Sequence, residues 1–124
     1  MADFRYQGPI IEAIAGQNLS GHRAVIVTGN DEAFLADHTI AAHRDAVRGI
    51  VTGAFLAGQL ARIQVLGPMV EAGWNWTPGL PIYLGASGNL TQVVPTTGFI
   101  KRLGAAHSST KMFIELNQAI LTGV

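Results

Sequence analysis

A chain of 124 residues is long enough for one domain with its own core and too short for two. Eight basic residues balance eight acidic ones, and this zero net charge argues against a surface that tracks nucleic-acid phosphates. Cysteine is absent, which excludes disulfides, zinc–thiolate sites and thiol nucleophiles, and no apolar run approaches the ~18 residues of a membrane helix.

Taken in chain order, Met1 to Ser20 reads as an arm, with a strand or single turn near Ile10 to Ile14. It begins Met-Ala-Asp-Phe-Arg-Tyr, without the basic and apolar regions of a secretory signal. The β pattern starts after Gly21. Ala24-Val-Ile-Val-Thr28 is a β-branched run, Gly29-Asn-Asp31 a turn and Ala33-Phe-Leu-Ala36 its return strand. Between Asp37 and Asp45 the sequence is least β-like, and Asp37 or Thr39 is placed to cap a short helical turn. Strands are expected at Val47 to Ala54 and, across a Gly58-Gln59 turn, at Ala61 to Leu66, where Arg62 and Gln64 alternate with apolar residues. Gly67-Pro68 should break this strand, with Met69 to Glu71 resuming at an edge.

Beyond Gly73 the turns become regular. Thr77 to Pro81 bends the chain, Ile82-Tyr-Leu84 pairs through Gly85 to Asn89 with Leu90 to Val94, and Pro95 to Gly98 turns again. Phe99 to Gly104 and Lys111 to Leu116 make a last hairpin across His107 to Thr110. Strands this short, with turns at such spacing, predict an all-β fold, a small barrel or sandwich of short antiparallel strands with extended terminal arms. The expected organisation is an N-terminal arm over 1–20, a β domain over 21–116 and a C-terminal arm over 117–124.

Chemistry-bearing motifs are scarce. His22, His38, His43 and His107 have no metal-site spacing, and Ser87 in Gly85-Ala-Ser-Gly-Asn89 lies between two strands, where a nucleophile elbow needs a strand and a helix. The phosphate-cradling glycine motifs are missing. The short basic pairs Arg44/Arg48 and Lys101/Arg102 read as solvated charge, and the Asn-x-Ser/Thr triplets at Asn18, Asn75 and Asn89 as accidents of composition. Neither an enzyme nor a cofactor is expected. Charged residues make up 13% of the chain, against roughly 25% in an average soluble protein, and mean hydropathy is +0.30, so some apolar surface should be covered by another subunit. The interface candidates are Phe4, Tyr6, Ile10, Ile11 and Ile14 in the arm, with Trp74, Trp76 and Tyr83 in the β domain.

Four stretches carry a resemblance: Ala15 to Val25, Ala36-Asp37 followed by His43, Gly49-Ile-Val-Thr-Gly53, and above all Gly73-Trp-Asn-Trp-Thr-Pro-Gly-Leu-Pro-Ile-Tyr-Leu-Gly-Ala-Ser-Gly-Asn-Leu-Thr-Gln92. In its turns and alternating strands, about Ala15 to Leu116 resembles a small β domain of tailed-bacteriophage virion proteins, among them capsid decoration (cement) proteins and head or tail fibre domains. The resemblance implies a structural component of the virion, assembled in the host bacterial cytoplasm. The first expectation is a decoration protein, often a homotrimer, that bridges subunits of the major capsid protein and touches neither nucleic acid nor membrane. A fibre, spike or tail-base component is the near alternative. A carbohydrate-binding module stacking sugars on Trp74, Trp76 and Tyr83, and a small hydrolase built on a histidine, are the more distant ones.

Overall fold

The computed structural model describes residues 10–121. They form an all-β structure in which a closed five-stranded barrel packs against a five-stranded sheet, with a separate two-stranded ribbon. The barrel comprises β1 (Ile10–Ala15), β2 (Ala24–Val27), β3 (Glu32–Leu35), β4 (Val47–Val51) and β5 (Leu60–Gln64), in the spatial order β1-β3-β2-β4-β5. The second sheet has the order β6-β11-β10-β7-β8, from β6 (Leu66–Val70), β7 (Pro81–Leu84), β8 (Leu90–Thr91), β10 (Arg102–Ser108) and β11 (Lys111–Glu115). The ribbon joins β9 (Phe99–Ile100) to β12 (Ile120–Leu121).

The expected β2–β3 hairpin is present. Thr28 N–H donates to Glu32 O and Asp31 N–H to Thr28 O, a turn that ends with Asp31 in the left-handed region at φ 60°. Barrel closure is long-range: β1 pairs antiparallel with β5 over Ile10↔Gln64 to Ile14↔Leu60, and parallel with β3 at Ile14↔Glu32 and Ala15↔Ala33. Ile10–Ala15, within the segment read as an arm, is therefore a stave of the barrel. At the other terminus, Ile120–Leu121 pairs with β9 of its own chain.

Two cores share one wall. Ala13, Ala15, Leu19, Val25, Ala33, Val51, Ala61 and Ile63 fill the barrel. The larger core between barrel and sheet joins Ala24, Val47 and Ile50 to Met69, Ile82, Leu84, Phe99, Leu103, Met112 and Ile114. Strand β2 serves both, with Val25 turned into the barrel and Ala24 and Ile26 turned toward the sheet. A bulge at Arg48 keeps β4 in step, so that Val25 faces Gly49 while Ile26 faces Val47. A five-stranded barrel is narrow, which is why alanines line it. A Cβ on Gly49 would run into Gln64 O and lie 2.8 Å from Ile63 Cγ2.

Several details differ from the sequence reading. The strand break falls at Val65, and β6 runs through Gly67-Pro68 as the edge strand of the second sheet, where a missing N–H costs nothing. Strand β8 ends at Thr91, because the Gln92 side chain turns away to bond Thr77 and Leu80. The helical turn is one 3-10 turn, Ala41–His43, preceded by Ile40 and lacking a side-chain cap. Asp37 instead forms an Asx-type turn: Oδ1 accepts from Thr39 N–H at 2.9 Å and Thr39 Oγ1 at 2.6 Å, and Oδ2 accepts from Ser87 N–H at 3.0 Å. Lys101, read as solvated charge, is only 8% exposed; burial lowers its pKa, Arg48 reinforces this and Asp45 opposes it.

Gly49→Ala is expected to cost about 1–3 kcal/mol through overpacking at the barrel seam, whereas Gly53→Ala, whose Cβ would meet nothing within 4 Å, should stay within about 0.5 kcal/mol of wild type. Urea denaturation of both variants checks this, and equal stabilities would contradict it. The Asp37 carboxyl titrates below its ordinary value of 3.8: burial acts to raise its pKa, but the hydrogen bonds from Thr39 and Ser87, with His38 nearby, outweigh that. Asp37→Ala should cost about 1–2 kcal/mol at neutral pH, allowing for solvent screening at an exposed loop. A depressed folded pKa contributes stability that is complete above the unfolded pKa and lost as pH falls through the folded value, so the gap to wild type should close below about pH 4. A gap that stays constant from pH 6 to pH 3 would refute the assignment.

Candidate functional site

Trp74 and Trp76 lie in the loop between β6 and β7, outside any strand. Trp74 N–H donates to Glu71 O and Trp76 N–H to Ser109 O, while Gln92 fixes Thr77 from both sides of its peptide. The indole centroids are 5.4 Å apart with planes tilted by 50°, and His22, at φ 57°, meets Trp74 edge-on at 5.6 Å. Both indoles are half-buried and pack against the core between barrel and sheet, where Trp76 Nε1 is buried without a hydrogen-bond partner.

Tyr83 does not join them. On β7 its neighbours Ile82 and Leu84 point into that core, so Tyr83 points to the opposite, outer face of the sheet. It helps line a groove of about 330 Å³ with Val94, Ile100, Arg102, Asn117 and Ile120. The three aromatics therefore make no common sugar-stacking platform, and the two indoles present no flat shared surface.

The isoleucines of β1 divide by strand alternation. Ile11 packs with the barrel core, whereas Ile14 is exposed opposite exposed Leu60 on β5. Ile10, opposite Gln64, is half-buried. Phe4 and Tyr6 lie outside the described residues.

One apolar feature was not singled out from sequence. It is the outer face of the second sheet, where Leu66 is 56%, Val70 60% and Phe113 45% exposed. Cross-strand register puts Val70 beside Lys111, Pro68 beside Phe113 and Leu66 beside Glu115, and Ala105 of β10 lies on the other side of Phe113. Lys111 Nζ sits 5.8 Å from the Phe113 ring centroid, and His107 meets that ring edge-on at 5.6 Å. The available signal was two alternating rows, Leu66-x-Pro-x-Val70 and Lys111-x-Phe-x-Glu115, the first hidden by a Gly-Pro pair that reads as a break.

Several other polar groups have structural partners. His43 Nδ1 accepts from Asp37 N–H, and His38 Nδ1 donates to Thr97 O. The salt bridges Arg44–Asp45 (3.6 Å) and Arg62–Glu12 (3.8 Å) are solvent-exposed. Among the described residues no group of three or more His, Asp or Glu side chains is placed to hold a metal ion. No described helix is long and apolar enough to cross a membrane.

No protein-family model and no curated protein matches this sequence. Among solved structures the fold is similar to the head fibre gp8.5 N base of bacteriophage phi29, with a TM-score of 0.52 and 18% sequence identity over 92% of this chain and 98% of that one.

Proposed function

We propose that this protein is a structural component of a tailed-phage particle, seated on the head surface, where it binds the major capsid protein and bridges its subunits. The observation that carries this reading is the end-to-end correspondence of fold with a head fibre N base. Fold alone does not assign function, and the surface supports the same role: charge is sparse, apolar side chains stand in a row on the outer sheet, and the histidines are engaged in loops and aromatic contacts. The role is mechanical, not catalytic. Modest affinity per contact suffices where many copies engage a repeating lattice, since each bound copy raises the effective concentration of the next contact.

A second reading, favoured by the fibre identity of the structural neighbour, is that the domain anchors a fibre without cementing the shell. Adding the purified protein to shells of the phage that carries the gene, stripped of accessory proteins, separates these. A decoration protein co-sediments at a saturating number of copies and raises the temperature at which heads lose DNA. A fibre base binds but leaves that temperature unchanged. Failure to bind shells, with absence of the protein from purified virions, would overturn both.

A further inference from the structure

We propose that the outer face of the second sheet is a self-complementary contact through which two copies of this chain pair about a two-fold axis. This goes beyond the virion reading and does not rest on it. The face is built from β6 and β11, whose outward side chains form three cross-strand rows: Val70 with Lys111, Pro68 with Phe113, and Leu66 with Glu115. An axis lying in the plane of contact, perpendicular to the strands and through Phe113, turns β11 of one copy antiparallel over β11 of the other. Lys111 then faces Glu115 of the second copy, twice over, while Phe113 meets Phe113 and Leu66 meets Val70. Two sheets packed face to face need this kind of interdigitation across ~10 Å. The row lysine, phenylalanine, glutamate complements its own reverse, which is the requirement of an isologous interface.

The β6 edge of this sheet is blocked to strand addition while its face is open. Pro68 has no N–H to offer, and Gln64 Nε2 donates to Leu66 O at 3.0 Å and to Pro68 O at 2.7 Å, occupying carbonyls an added strand would use. Association at β6 is thereby directed from backbone pairing to side-chain packing. The net charge of zero leaves no long-range repulsion between copies. A trimer, as implied by the cement-protein resemblance, would join unlike patches and would not bring this row against itself.

The test is the mass of the full chain by sedimentation equilibrium across a range of concentrations, with folding checked by circular dichroism. Wild type should reach twice its 13.1 kDa chain mass. Lys111→Glu and Glu115→Lys should each weaken pairing about tenfold or more by opposing like charges across the axis, and the double reversal should restore it to within about threefold of wild type. Phe113→Asp, which sets two carboxylates against each other on the axis, should leave a folded monomer. A wild-type mass of one or three chains, single reversals without effect, or a double reversal no better than the singles would overturn the proposal. Shell binding is a separate readout, so failure of the dimer and failure of the virion reading are distinguishable.

Discussion

The structure depends on a wall with no solvent face. Strand β2 reads Ala-Val-Ile-Val because each of its sides meets a core, and the Arg48 bulge lets β4 follow the same division, Val47 and Ile50 toward the sheet and Val51 into the barrel. Elsewhere the barrel obeys simple alternation: on β5, Ala61 and Ile63 point inward and Arg62 is exposed. Sliding β2 by one residue would exchange the contents of two cores at once. Register at this wall is therefore specified twice, and the narrow barrel adds a third condition at Gly49, where no side chain fits beneath β5.

What the sequence makes legible is what neighbouring residues decide. The turn at Gly29-Asn-Asp31 and the alternation of Ala61 to Gln64 are local, and both are found. Pairings set by distant partners are not legible: the parallel contact of β1 with β3, the closure of β1 on β5, and the ribbon of β9 with β12. Lys101 follows the same logic. In sequence it is half of a basic pair, yet its backbone carbonyl accepts from Leu84 N–H and its side chain is carried into the interior beside the sheet. Arg102, the next residue, stays exposed, with its Nε donating to Gly104 O.

The candidate site was legible only in part, for similar reasons. The indoles of Trp74 and Trp76 meet through a loop tied to Ser109 and Gln92. Tyr83 was grouped with them by proximity along the chain, and strand alternation sends it to the other side of the sheet. The exposed row on β6 was missed because Gly67-Pro68 has the signature of a turn, and only its position at a sheet edge makes a continuous strand possible there.

The distribution of side-chain size links stability to surface. With alanines lining much of the barrel, Leu19 and Ile63 are the largest side chains buried in it, whereas Phe99, Ile50, Ile82, Leu84, Leu103, Met112 and Ile114 belong to the core shared with the second sheet. Without cysteine the chain has no disulfide to compensate, so the barrel relies on being docked to that sheet. Met112 and Ile114 hold β11 from inside while Lys111, Phe113 and Glu115 are displayed outside, and the alternation that secures the core thus fixes the geometry of the exposed row. A surface held this way meets a partner with little ordering cost, since the backbone that presents it is already fixed by the fold.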